Sequence, residues 1–196
     1  MVAIKPIPLI GNWVEGFALD IHSTGSDYLG DDEWGHPQFN THRSELGELL
    51  FRLKYRSNRL VLDEIVVTVV DFLTKQWQIA GKIDFLVPIP PSRARAFQPV
   101  PEIAKMVGAQ LNLEVMVDAL AKKRDTPELK DSPADERRAI VANVFEANEA
   151  RLKGKTVLLM DDLYSSGATI TEATRALYQT GGVLKVYVLT LTKTKG

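Results

Sequence analysis

From Val157 to Thr169 the chain runs through a short apolar stretch, two adjacent carboxylates and a bend of small residues: Val157-Leu158-Leu159-Met160, then Asp161-Asp162, then Leu163-Tyr164-Ser165-Ser166-Gly167-Ala168-Thr169. No other segment limits the available folds as tightly. A near-continuous apolar run belongs to a strand covered on both faces, as in parallel sheets. Downstream, Ile170, Ala173, Thr174 and Leu177 fall on one face of a 3.6-period helix, and Gly181-Gly182 ends it. Leu184 to Leu191 then supplies another strand. A strand–helix–strand unit of this kind predicts an α/β fold with a parallel sheet and right-handed crossovers.

The rest of the chain fits around that unit. Ile83 to Ile89 reads as a buried strand breaking into a proline-rich loop, and Pro101 opens a helix carrying Ile103, Met106, Val107 and Leu111. Leu113, Val115 and Val117 alternate as a strand, and residues 121–138 are a mixed-charge stretch without periodicity, which predicts a solvated loop. Upstream, Leu46, Leu49, Leu50 and Leu53 line one helix face. A second helix follows Asn58, with Leu62, Ile65, Val66, Val69 and Leu73 on one side and Gly81 as its stop. Its β-branched run also fits a strand, but the length favours a helix. In the Gly-, Asp- and aromatic-rich residues 1–42, Trp13 to Ile21 fits a strand and Gly25 to His36 a loop. The expected organisation is an N-terminal extension with two helices over residues 1–80 and an α/β core over 81–196.

Composition narrows the function. At 196 residues the chain has room for one ordinary domain, and it has no cysteine, so disulfides, thiolate nucleophiles and sulfur-ligated zinc are excluded. A formal net charge of −1 gives no broad grip on nucleic acid or anionic lipid. The richest apolar stretch, Leu60 to Leu73, is interrupted by Asp63, Glu64 and Asp71, and Met1 to Gly11 carries Pro6 and Pro8 without a small-residue cleavage site. Neither reads as a membrane span or a signal peptide, so a cytoplasmic enzyme or regulator is the expectation.

In parallel α/β sheets ligands sit beyond the carboxyl ends of the strands. Backbone N–H groups of Ser165 to Thr169, together with a helix start, form a cradle for a phosphate, and Gly167 lets the main chain approach it closely. Two carboxylates beside a phosphate make sense when they accept hydrogen bonds from sugar hydroxyls, with a divalent cation nearby. A sugar carrying phosphates and a vicinal diol satisfies both halves. The alternatives are a plain helix cap and two solvated acids. Gly154-Lys155-Thr156 imitates the end of a nucleoside triphosphate loop, but position 149 is Glu149 where a glycine is required, and the segment precedes a strand.

The 157–169 segment resembles the phosphoribosyl-diphosphate (PRPP) signature of type I phosphoribosyltransferases: four apolar residues, an acidic pair, two apolar residues, two small residues, Gly, any residue, then Thr or Ser. Tyr164 is bulkier than the usual aliphatic. Further segments are similar to the competence protein F (ComF)-like branch: Leu53-Lys54-Tyr55-Arg56; Val87-Pro88-Ile89-Pro90-Pro91-Ser92-Arg93-Ala94-Arg95-Ala96-Phe97-Gln98; and Thr126-Pro127 with Glu136-Arg137-Arg138 and Asn143-Val144-Phe145. Two departures stand out. The cysteine-based zinc ribbon that often opens that family is missing, and Ala96-Phe97-Gln98-Pro99 stands where Gly-Phe-Asn-Gln is usual.

The resemblance implies a type I phosphoribosyltransferase fold, a Rossmann-like core with helices on both faces plus an N-terminal hood. It implies PRPP and Mg²⁺ as ligands, with Asp161 and Asp162 on the ribose hydroxyls, directly or through Mg²⁺ and water, and Ser165, Ser166, Gly167, Ala168 and Thr169 on the 5-phosphate. Ser92, Arg93 and Arg95 fall where such enzymes hold the pyrophosphate. Lys122, Lys123, Arg137 and Arg138 flank the region of a flexible active-site loop. The implied reaction moves phosphoribosyl to an unidentified, nitrogen-type acceptor. No catalytic base is assigned: Ser165 occupies the position of the aspartate that serves the base in purine-salvage relatives. The competing reading is a non-catalytic PRPP-binding regulator or an accessory of DNA uptake. Relatives are frequently homodimers. His22, His36 and His42 lie among Asp20, Asp27, Asp31, Asp32 and Glu33, but without helical ligand spacing a loop structure is preferred to a metal site. Trp13, Trp34 and Tyr55 are better matched to core packing than to stacking on a base.

Overall fold

A computed structural model describes residues 1–91, 97–123, 140, 142–147 and 150–195. Among them a six-stranded sheet runs in the order β1-β2-β10-β9-β5-β6, built from β1 (Ile7–Pro8), β2 (Glu15–Ile21), β5 (Phe85–Pro88), β6 (Glu114–Val115), β9 (Thr156–Tyr164) and β10 (Lys185–Lys193). Only the β1–β2 pairing in this sheet is antiparallel.

Side chains alternate across the strands, and each face has its own apolar layer. Leu158 and Met160 of β9 and Leu189 and Leu191 of β10 face α1 (Glu45–Tyr55), α2 (Leu62–Asp71) and α3 (Pro99–Leu111). Val157 and Leu159, with Val186 and Val188, face α4 (Ala168–Gln179) and the hairpin of β7 (Leu120–Lys122) and β8 (Phe145–Ala147). The β9–α4–β10 unit therefore forms as its periodicity predicts, inside a mostly parallel α/β sheet with helices on both faces.

Local chemistry sets the ends of the helices. Ser44 caps α1, its Oγ accepting from the Gly47 N–H at 3.0 Å, and Glu45 and Glu48 lie in the positive first turn. Gly47 is required there, because a Cβ would stand 2.1 Å from the His22 carbonyl oxygen. α3 begins at Pro99, two residues before the expected Pro101; both prolines fit a first turn. α2 stops well short of Gly81. It passes into a π turn over Phe72–Gln76, where the Trp77 N–H reaches the Phe72 carbonyl at 2.8 Å. The wider turn brings the Trp77 ring to 5.0 Å from Phe17 and its Nε1 to 2.7 Å from Glu15 Oε2.

Three other expectations change. Gly25 to His36 is not a loop: β3 (Ser23–Asp31) and β4 (Pro37–Arg43) form a hairpin whose turn is tied by Asp32 Oδ1, which accepts from the N–H groups of Trp34 at 3.0 Å and His36 at 2.8 Å. The ribbon is exposed on both faces over most of its length, so it carries none of the apolar alternation that marks a half-buried strand. The expected strand through Val117 shrinks to Glu114–Val115. Part of the charged stretch is strand, at Leu120–Lys122, while residues 124–139 lie outside the described residues. Trp13 is buried in the core as expected, but Trp34 and Tyr55 are exposed.

The topology fixes where a ligand can sit. α3 carries the chain from β5 outward to β6 across one face, and α4 carries it from β9 outward to β10 across the other. Strand order thus reverses between β5 and β9. The crevice beyond their neighbouring carboxyl ends is the switch point at which open α/β sheets bind ligands.

Candidate functional site

β9 is longer than its apolar run. Pairing with β10 continues past Met160 through Asp161, opposite Thr190, to Tyr164, opposite Lys193. The acidic pair therefore lies inside the strand and not beyond its end, and pleating separates the two side chains. Asp161 continues the Val157–Leu159 row toward α4. Asp162 continues the Leu158–Met160 row toward α1 and meets Lys54, its Oδ2 lying 2.6 Å from Lys54 Nζ. Both partners are mostly covered, at 24% and 18% exposure.

This division gives the two acids different electrostatics. Burial, and then the neighbouring Asp162 charge, push the Asp161 carboxyl from 3.8 up to about 7, against the opposing pull of the Asp162 N–H, Lys54 and Lys122. That N–H donates to Asp161 Oδ1 at 2.8 Å. For Lys54, burial works to lower the ammonium, but the charge and hydrogen bond of Asp162 outweigh it and the net shift is upward. Beside Asp161 on β10, the buried Thr190 hydroxyl has no hydrogen-bond partner among the described residues. Thr192 Oγ1 donates to the Asp162 carbonyl at 3.1 Å and contacts His22 Nδ1 at 3.1 Å.

Beyond Tyr164 the backbone turns through Ser165 and Ser166 to Gly167, whose φ of 75° places it in the left-handed region as the N-cap of α4. Two constraints require glycine there. One is the positive φ; the other is that a Cβ would meet Tyr164 Oη at 2.3 Å. Among the described residues the N-cap Gly167 makes no side-chain cap hydrogen bond, and the next residue's N–H, that of Ala168, donates a long bond to Ser166 Oγ at 3.5 Å. Ser165 is exposed, and Ala168 and Thr169 form the first turn. The expected phosphate-loop residues are thus together, at the amino end of a helix and at the switch point.

The other expected site residues fare unevenly. Lys122, ending β7, lies 5.7 Å from the Phe145 ring centroid and adds to the positive field at Asp161. Lys123 pairs instead with Glu146 at 3.6 Å on the hairpin. Ser92, Arg93, Arg95, Arg137 and Arg138 lie outside the described residues. His42 pairs with Asp27 at 2.6 Å and His36 with Asp32 at 3.4 Å on the projecting ribbon.

Lys54 was not singled out as a site residue from the sequence, although a signal was there. It occupies the buried Leu46–Leu50 stripe one turn further on, where an apolar residue belongs. Thr190 and Thr192 gave a similar signal, as hydroxyls continuing the apolar Val186–Val188 row of β10.

Residues 61–195, more than half of the chain, match the family model described as Phosphoribosyl transferase domain. The chain belongs to that family. This phosphoribosyl transferase domain is 35% identical over 80 residues to a ribose-phosphate pyrophosphokinase of Sulfurisphaera tokodaii, covering 41% of the chain and 23% of that protein. The chain therefore spans about a quarter of the length of that curated relative. Among solved structures it is similar to adenine phosphoribosyltransferase from Saccharomyces cerevisiae, with a TM-score of 0.47 and 14% identity, over 86% of this chain and 83% of that one. It is also similar to orotate phosphoribosyltransferase from Aeropyrum pernix, with a TM-score of 0.44 and 15% identity, over 85% and 75% of the two chains. Among the described residues no helix is long and apolar enough to cross a membrane.

Proposed function

We propose that this phosphoribosyl transferase domain takes PRPP and transfers its phosphoribosyl group to a nitrogen acceptor. The observation that carries the reading is the Ser165–Thr169 bend: a left-handed glycine opening a helix and, among the described residues, making no side-chain cap hydrogen bond, at the switch point of a parallel sheet, in a chain of this family. A monoester dianion suits that bend, because backbone donors and the helix start supply positive potential without a cationic side chain. Asp161 and Asp162, leaving the strand on opposite sides, accept hydrogen bonds from the ribose hydroxyls. The similarity to a ribose-phosphate pyrophosphokinase supports a ribose phosphate as ligand. Within the family we place the chain in the ComF-like branch, on the strength of the Lys54-Tyr55 helix end and the Val87–Gln98 segment.

Mg²⁺ fits the donors present, provided the substrate shares in holding it. Among the described residues no three carboxylate or imidazole side chains converge. Asp161, beside the Thr190 hydroxyl that has no partner among the described residues, supplies the carboxylate, while Asp162 is already matched by Lys54. Substrate phosphates and water complete such a shell for Mg²⁺. The cation, when bound, neutralises diphosphate charge. The chain's residues hold the phosphate, orient the sugar and keep its anomeric carbon facing the crevice.

Calorimetry with PRPP, with and without Mg²⁺, tests this reading. Binding by the native chain, abolished in Asp161→Asn/Asp162→Asn, is the expected result; equal affinity of the two proteins overturns the site. A second reading, a PRPP-binding regulator without turnover, is favoured by Ser165, which cannot take a proton at neutral pH. Pyrophosphate release against a panel of nitrogen acceptors separates the two.

A further inference from the structure

Lys54 poses a question that the phosphate bend does not answer. α1 is already anchored to the sheet by Leu46, Leu49, Leu50 and Leu53, all buried. One more apolar side chain on that stripe would serve docking at least as well, because an ion pair taken out of water recovers little of its desolvation cost. Instead, an ammonium is directed from the last turn of α1 to Asp162 Oδ2, 2.6 Å away at the carboxyl end of β9. The residue stands on the sheet face that α3 crosses after β5, the face on which Asp162 itself lies.

We infer that Lys54 is the charge partner of the leaving diphosphate, held in waiting by Asp162 and released to the diphosphate when ribose hydroxyls occupy that carboxylate. This rests on the phosphoribosyl reading above. The hydroxyl-bearing carbon next to the anomeric carbon brings the C1–O bond close to whatever carboxylate accepts from that hydroxyl. An ammonium already in contact with the carboxylate is therefore beside the breaking bond. In the step itself, the C1–O bond to diphosphate breaks and both electrons leave with the diphosphate oxygen. The acceptor nitrogen forms the new bond to C1 and gives its proton to water. Lys54 keeps its proton throughout and contributes charge alone, where negative charge develops.

The test compares two ligands that differ only in the diphosphate. PRPP and ribose 5-phosphate are titrated calorimetrically, in one buffer, into the native chain, Lys54→Met and Lys54→Gln; the glutamine variant keeps a donor for Asp162 in case the methionine variant does not fold. PRPP affinity should fall at least tenfold in the uncharged variants and recover in Lys54→Arg, while ribose 5-phosphate affinity moves less than threefold. Equal losses for both ligands would show a merely structural tether and overturn the inference, as would undiminished PRPP affinity. If the native chain binds neither ligand, the phosphoribosyl reading fails and takes this inference with it.

Discussion

Replacing Asp161 by asparagine should make the protein more stable at neutral pH. The carboxyl titrates at 3.8 when exposed and at about 7 in the fold, chiefly because burial disfavours its charged form and Asp162 repels it. A carboxyl whose folded value is raised favours folding fully below its unfolded value, and that contribution is lost as the pH rises through the folded value. At 1.36 kcal/mol per pH unit, the rise from 3.8 to about 7 sets a ceiling of about 4 kcal/mol on what ionised Asp161 costs the fold at pH 8. Asparagine keeps an oxygen for the Asp162 N–H, now at 2.8 Å from Asp161 Oδ1, and carries no charge. With about 2–4 °C of melting temperature per kcal/mol in a domain of this size, recovering about half the ceiling raises the midpoint by about 4–8 °C. Thermal unfolding followed by circular dichroism at pH 4, 6 and 8 measures it. The gain should be largest at pH 8 and nearly absent at pH 4. A variant less stable than the native chain at pH 8, or a gain independent of pH, would refute the reasoning.

Asp162→Asn should act in the opposite direction, since it leaves Lys54 mostly covered without the carboxylate in contact with it; a loss of about 1–3 kcal/mol in urea unfolding is expected. Gly167→Ala meets both a φ of 75° and the Tyr164 hydroxyl, so it should lose about 1–3 kcal/mol and weaken ribose 5-phosphate binding, with Tyr164→Ala in the same chain restoring part of the stability. Because an ionised Asp161 accepts more strongly from a sugar hydroxyl than the neutral carboxyl does, and burial and Asp162 hold it above the usual carboxylate range, PRPP affinity should rise as the pH goes from 6 to 8, and calorimetry across that range should show a smaller rise in Asp161→Asn.

Where burial shaped the sequence, the sequence could be read. The apolar run Val157–Met160, the helix stripe through Ile170 and Leu177 and the β10 run were enough to give a parallel α/β sheet and to place the Ser165–Thr169 bend beyond the carboxyl end of one of its strands. Structure held by other means was hidden. The β3–β4 ribbon has no core side to mark it, and β9 goes on beyond Met160 through backbone pairing with β10, whatever side chains it carries. That continuation has the larger consequence for function. In the sequence the two adjacent acids are equivalent, whereas within a strand they leave on opposite sides, one raised by burial and one paired with Lys54. The partner comes from a helix 108 residues earlier in the chain, and spacing within a motif does not report contacts over that separation.

The most direct measurement is a titration of ribose 5-phosphate into ¹⁵N-labelled protein, followed by amide chemical shifts. The bend at the end of β9 should respond first and most, with Ser166, Gly167, Ala168 and Thr169 moving together and saturating at one affinity, while amides at the far end of α4, near Gln179, stay in place. If those four amides stay fixed under saturating ligand, or move no more than the rest of α4, the bend does not hold a sugar phosphate and the account of this site is wrong.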